Sequence, residues 1–330
     1  MKMENTIDNQ MSKQEEVKER VKALLNQLED GIKGLFESEK YKEYLNVMSR
    51  FYNYSCNNLA LIYMQYPQAT NIAGYESWKR SFNRHVKKGE KAIKIIAPEF
   101  VKKEIETVRK DSAGNTVYDS NGNPVKDKKI QEYINYHITS VFDVSQTEGE
   151  DLPTLTHRLN SDIKDFDTLV KAIENVSPVP VYIKSYEGKS NGYYDLRKRE
   201  IYIQQDMSET QIIKTMLHEV AHSILHDKET GKYSMADAQT KEVQAESVAY
   251  CVSKYLGIDS GSYSFGYIAG WSRNKELAEL KNSLNIINKT ASKLINELDY
   301  RLTGKQLYDV EKIKDAAYKK DNKQKRSMKH

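Results

Sequence analysis

Gln211-Ile212-Ile213-Lys214-Thr215-Met216-Leu217-His218-Glu219-Val220-Ala221-His222-Ser223-Ile224-Leu225-His226 is the stretch on which the reading of this chain turns. Apolar residues recur at 212, 213, 216, 217, 220, 221, 224 and 225, which is the pattern of a helix buried along a broad face. Ser208, with Gln211 three residues later, supplies a capping-box start. On such a helix His218 and His222 share one face and can grip a single metal ion, while Glu219 between them faces the water that the ion binds. A surface histidine pair does not ordinarily sit in so apolar a helix; the plainer alternative is two core histidines with hydrogen-bond partners.

A catalytic zinc takes three protein ligands and keeps a fourth place for water, so a third ligand is sought downstream. Glu242 opens the run Glu242-Val243-Gln244-Ala245-Glu246-Ser247-Val248-Ala249-Tyr250-Cys251-Val252, whose apolar spacing predicts a second helix packed on the first. Glu242 and Glu246 share a face of that helix, which assigns Glu242 to the metal and Glu246 to the N–H of a liganding imidazole; the alternative is a solvated acidic face. His226 follows the stripe of His222 but lies about 6 Å further along the axis, out of reach of the same ion. The chain also lacks the glycine break by which some proteases recruit a third histidine, so His226 is read as a pocket-wall or helix-end residue. Zinc on His218, His222 and Glu242 would acidify its water, and Glu219 would take that proton and pass it to the leaving amine. Tyr250, Tyr255 and His226 stand, unranked, as donors to the developing oxyanion.

The arrangement of His218, Glu219 and His222 with Glu242 resembles the gluzincin layout. Gluzincins more often carry an aspartate where this chain has Glu246, a departure that bears on the secondary role of that residue. The similarity is strongest to the catalytic domain of ArdC-like (LtrC-like) antirestriction proteins, and more remote to repressor-cleaving peptidases of the ImmA and IrrE type. A second resemblance to the ArdC-like family lies upstream, in Tyr54-Ser55-Cys56-Asn57-Asn58-Leu59-Ala60-Leu61-Ile62-Tyr63-Met64-Gln65-Tyr66-Pro67, Ala73-Gly74-Tyr75-Glu76-Ser77-Trp78, Val86-Lys87-Lys88-Gly89-Glu90-Lys91-Ala92-Ile93-Lys94-Ile95-Ile96-Ala97-Pro98 and Val141-Phe142-Asp143-Val144-Ser145-Gln146-Thr147. There it implies an amino-terminal domain that binds single-stranded DNA, with Asn58 among its contacts, and carriage on a mobile genetic element active in conjugation.

Charge gives the DNA reading independent support. Between Trp78 and Lys103 stand nine basic residues, Lys79, Arg80, Arg84, Lys87, Lys88, Lys91, Lys94, Lys102 and Lys103, against Glu90 and Glu99, a local +7 where the whole chain is +4. Such a segment suits a phosphate-tracking groove, and Tyr75, Trp78, Phe82, Tyr63 and Tyr66 offer rings for stacking unpaired bases. The alternative is that the rings are core and the lysines a solvated surface.

With 330 residues the chain can hold two domains. The expected architecture is α+β: a disordered start (1–11), an α+β single-stranded-DNA-binding domain (12–147), a linker (148–155), a mainly helical zincin-like metallopeptidase domain with a small sheet (156–303), and a basic tail (304–330). Helices are expected over 12–37, 41–54, 57–65, 75–82, 166–175 and 271–300, strands over 92–97, 133–144, 179–184 and 200–204, and a mobile hairpin excursion over 101–129. No internal repeat is evident. A mean hydropathy of -0.75, no apolar run long enough for a bilayer and a polar amino terminus without a signal-peptide core argue against a membrane protein. Two cysteines falling in different predicted domains make a disulfide framework improbable and a cytoplasmic setting the expectation.

Three functions compete: a DNA-recruited zinc peptidase, a non-catalytic DNA-binding antirestriction protein with a structural zinc, and a repressor-cleaving regulatory peptidase. Single-stranded DNA, a protein substrate, and restriction enzymes or other DNA-bound proteins are the expected partners.

Overall fold

A computed structural model describes residues 4–152, 166–229, 236–258, 263 and 265–304. These form two compact units, one of residues 24–95 with 140–304, the other of residues 4–23 with 96–139. The expected basic tail beyond residue 304 and residues 153–155 of the expected linker lie outside the described residues.

Helix α1 (Glu4–Gly34) runs through both units. It starts inside the stretch expected to be disordered, where no glycine or proline interrupts the chain before Gly31. In the larger unit follow α2 (Ser38–Arg50), α3 (Cys56–Gln65), β1 (Ile72–Gly74), α4 (Tyr75–Ser81) and β2 (Arg84–Val86). Strands β3 (Ile93–Val108) and β4 (Lys126–Asp143) begin and end in this unit, and β5 (Thr147–Gly149) closes the segment. β1 pairs antiparallel with the end of β4, Ala73 opposite Phe142, and β2 pairs antiparallel with β5, His85 opposite Glu148. Asp143 ties this part together: one carboxylate oxygen accepts from the backbone N–H of Thr70 and Asn71 at 2.7 and 2.9 Å, the other from the N–H and hydroxyl of Ser145. Gln146 completes it, accepting from the Asp143 N–H and donating to the Lys91 carbonyl and the Glu90 carboxylate. Buried carboxylates persist when each oxygen is hydrogen-bonded in this way.

Then come α5 (Phe166–Val176), β6 (Val181–Ile183), β7 (Gly192–Asp195), β8 (Glu200–Ile203), α6 (Glu209–Leu225), α7 (Ala238–Tyr255), α8 (Ile268–Ser272) and α9 (Leu277–Thr303). β8 is the central strand of a three-stranded sheet, parallel to β6 and antiparallel to β7. Helix α7 is the hub of the unit. Its Val243, Ala245, Ser247, Val248, Ala249, Cys251 and Val252 are fully buried, and small side chains on every face let α2, α6 and α9 approach together.

The packing of α2 on this hub, and of the segment that follows α2 on α9, is polar as well as apolar. Tyr41 and Ser247 share a 2.8 Å hydrogen bond, Tyr250 donates to Asn46 Oδ1 at 2.8 Å, and Asn288 donates to the Tyr54 carbonyl at 2.9 Å. One core therefore runs from α2 to α9, and the unit boundary does not fall at 148–155. Periodicity marks which helices have buried faces, but it does not say whose faces meet.

The smaller unit holds the outer lengths of β3 and β4. Cross-strand ion pairs line them, Lys102–Glu132, Lys126–Glu106 and Lys128–Glu104 at 2.5, 3.1 and 2.6 Å. The excursion expected over 101–129 is therefore paired strand at both ends. Its tip is a short repeat that the sequence reading missed: Asp111-Ser112-Ala113-Gly114-Asn115-Thr116-Val117-Tyr118 and Asp119-Ser120-Asn121-Gly122-Asn123-Pro124-Val125-Lys126. Each copy closes on itself, the leading aspartate Oδ1 accepting from the second and fourth N–H groups that follow and glycine taking positive φ. Arg109, Val117 and Val125, eight residues apart, hydrogen-bond to one another through their backbones. Among the described residues no helix is long and apolar enough to cross a membrane.

Candidate metal centre

Ser208 accepts from the Gln211 N–H and starts α6 about three turns before the histidines; Asp237 accepts from the Thr240 N–H and starts α7 just ahead of Glu242. The two helices pack side by side and bring three donors together. His218 Nε2 and His222 Nε2 are 3.1 Å apart, Glu242 Oε2 lies 3.4 Å from the first and Oε1 3.4 Å from the second. Donors about 2.1 Å from a tetrahedral ion stand roughly 3.4 Å from one another, so the triangle fits a divalent cation. Two imidazoles and a carboxylate suit zinc and neighbouring transition metals. Glu246 Oε2 lies 3.0 Å from Nδ1 of His218, within reach of that imidazole's second proton.

The electrostatics favour positive charge at this point. Burial works against charging His218, yet Glu242 and Glu246 outweigh it and push its pKa up to about 10. Glu242 is held far below the usual carboxylate range by His218 and His222. Glu219 moves the other way, its pKa raised by burial. The backbone N–H of Tyr194 on β7 donates to its carboxylate, and the strand comes this close to α6 because residue 192 is glycine. A Cβ there would stand 2.5 Å from Thr215 Cγ2.

A cleft of about 450 Å³ opens over the three donors, walled by Tyr193, Tyr194, Leu196 and Glu219. A second of about 280 Å³ extends from His218 and Glu219 past Lys214, Thr215 and Tyr263. Of the three residues offered as oxyanion donors, the two tyrosines point away from the donors, and His226 caps its helix at the wall of the cleft, as expected of a pocket-wall or helix-end residue. Tyr250 is fully buried on Asn46, Tyr255 donates to Asp299 at 2.6 Å, and His226 is buried behind His222 with their Nδ1 atoms 2.9 Å apart. Helix α7 turns its two tyrosines towards α2 and α9, a matter of facing that spacing alone does not reveal. Besides the cleft tyrosines, a further phenol, Tyr267, stands beside Glu242 and Glu246. Burial and then those two carboxylates raise its pKa. Tyr267 lies just before a five-residue helix, where no periodic signal marks it.

The residues read as DNA contacts divide by burial. Trp78 is 1 % exposed and donates its indole N–H to the Phe142 carbonyl, so it is core and offers no ring face to a base. Arg84 is buried and spends its guanidinium on Thr147 and the carbonyls of Gly149 and Glu150. Asn58 is buried in the first turn of α3, its N–H donating to the Ser55 cap. Tyr75, Lys79, Arg80, Lys87, Lys88, Lys91 and Lys94 are exposed. Of these Arg80 pairs with Glu76 at 3.0 Å, Lys87 donates to the Ser145 carbonyl and Lys94 to the Ser140 hydroxyl.

Residues 13–142 match the N-terminal domain of anti-restriction factor ArdC, and residues 176–253 match the IrrE N-terminal-like domain, a peptidase family. An uncharacterized protein of Bacillus anthracis is 30% identical over 322 residues, an alignment covering 88% of this chain and 53% of that protein. The chain thus spans about half the length of this curated relative. Among solved structures, the antirestriction ArdC protein of plasmid R388 is similar in its metal-free and Mn(II)-bound forms, at 19% and 18% identity. Each comparison covers 77% of this chain and 86% of that one, with TM-scores of 0.44 and 0.43. With its two matched domains in this order, the chain has the architecture of the ArdC-like antirestriction proteins.

Proposed function

We propose that this chain is a zinc-dependent peptidase whose amino-terminal region binds single-stranded DNA, and that it acts in antirestriction. The peptidase reading is carried by the donor triangle of His218, His222 and Glu242 standing beside the buried carboxylate of Glu219. When bound, zinc supplies Lewis acidity to the scissile carbonyl. Glu219 receives the proton of the attacking water at its carboxylate and delivers it to the leaving amine; its burial raises its proton affinity towards that of a working base, and the Tyr194 N–H fixes its orientation. Tyr267 is the proposed donor to the carbonyl oxygen. The exposed Lys79, Lys88 and Lys91 support the DNA reading, with Tyr75 and Phe82 as exposed rings in the same stretch of sequence.

The test is Glu219→Gln. The variant should keep one zinc per chain and lose casein or self-cleavage by roughly 10²–10⁴-fold. Full cleavage with zinc retained removes Glu219 from the mechanism. If the same variant still protects DNA from restriction, peptide hydrolysis is not what antirestriction requires.

A further inference from the structure

Behind the donor triangle runs a buried polar chain that the proposed chemistry does not use. His222 Nδ1 stands 2.9 Å from His226 Nδ1, His226 Nε2 stands 3.2 Å from Gln244 Oε1, and Gln244 Nε2 donates to Ser283 Oγ at 3.2 Å. The chain crosses from the C-cap of α6 through α7 to α9. His226, Gln244 and Ser283 are 4, 2 and 5 % exposed, so bulk water does not reorder it.

We infer that His226, held by Gln244 and Ser283, is the positioning residue that fixes the tautomer and ring orientation of His222 for metal binding. The inference rests on the metal reading given above. A neutral imidazole has one N–H and one acceptor nitrogen. A cation on Nε2 of His222 puts that ring's proton on Nδ1, and the partner 2.9 Å away is a nitrogen, which must then be an acceptor. His226 accordingly carries its proton on Nε2 and donates it to Gln244 Oε1, which leaves the Gln244 amide to donate to Ser283. Reversing the amide would put a proton on His226 Nδ1, force the His222 proton onto Nε2 and block the ligand atom. Buried polar chains of this kind are worth more whole than in part, and a partner on the second nitrogen of a liganding histidine typically sets metal affinity within 10- to 100-fold. His226, set aside as a ligand because of its distance along the helix, thus gains a specific role from that distance.

The experiment compares full-length His226→Leu and His226→Asn with the parent chain. Leucine removes the acceptor, whereas an Asn carboxamide oxygen can take the place of Nδ1. Zinc affinity is measured by competition with a chromophoric chelator, folding by near-ultraviolet circular dichroism, and the His222 tautomer by ¹⁵N chemical shifts. The expected result is zinc binding weakened 10- to 100-fold in His226→Leu and recovered to within a few-fold in His226→Asn, with His222 protonated on Nδ1 in the parent. A folded His226→Leu chain that binds zinc like the parent overturns the inference, as does an Asn variant no better than Leu. A parent chain that takes up no zinc sinks the metal reading itself, and the inference with it. If His226→Leu does not fold, the parent's tautomer decides: a proton on Nε2 of zinc-free His222 overturns the inference and one on Nδ1 supports it.

Discussion

Trp78 and Lys88 sit ten positions apart in one basic stretch and do opposite things. Trp78 is packed against Phe82, ring centroids 5.1 Å apart, with its N–H on a β4 carbonyl. Trp78→Ala should therefore cost about 3–5 kcal/mol of stability, read from urea unfolding; a loss of DNA affinity at unchanged stability would mean that the ring serves as a stacking surface. Lys88 and Lys91 are exposed. In the double variant Lys88→Ala, Lys91→Ala the slope of log affinity for single strands against log salt should fall by about 0.7 for each phosphate that is no longer neutralised. An unchanged slope would take both lysines out of the DNA interface. The sequence shows charge and aromatic content plainly, but burial is a property of the fold, and Arg84 and Trp78 are told from Lys88 only by what encloses them.

Among the elements, α7 depends most visibly on its start. Asp237 caps it and pairs with Lys275 at 2.6 Å, which together with the Thr240 N–H holds the carboxyl at a pKa of about 2. Because the folded pKa is depressed, the stabilisation is full above about pH 4 and is lost as pH falls towards 2. Asp237→Asn keeps a cap acceptor and removes the charge, so the gap in melting temperature between parent and variant should be present at pH 5 and narrowed at pH 2. A gap that does not vary with pH would show that the Lys275 pair adds nothing to the cap. Helix α6, which carries two of the candidate donors, was legible because a cap, an apolar stripe and two histidines at one spacing agree with one another. The reach of strand β7 to Glu219 was not legible, since a backbone N–H leaves no mark in a sequence.

At the scale of the molecule, the hub helix is enclosed by α2 as well as by α6. Tyr41, Tyr44, Leu45 and Met48 of α2 are fully buried. A fragment of residues 156–330 alone should consequently lack a sharp thermal transition and expose apolar surface to a dye such as ANS; a cooperative melt like that of the full chain would show that the carboxyl-terminal half is autonomous. The order of the two halves was readable because each announces its own chemistry. Their shared core was not, because pairings between residues some two hundred positions apart, such as Tyr41 with Ser247, leave no local pattern. The paired octets at the tip of the ribbon bear on how such a protein can diverge. Each octet returns the chain to the same point of the ladder, so gaining or losing a whole one preserves which side chains point to which face, whereas an odd-numbered insertion inverts them. The span of this ribbon can therefore change by whole octets without exchanging its two faces.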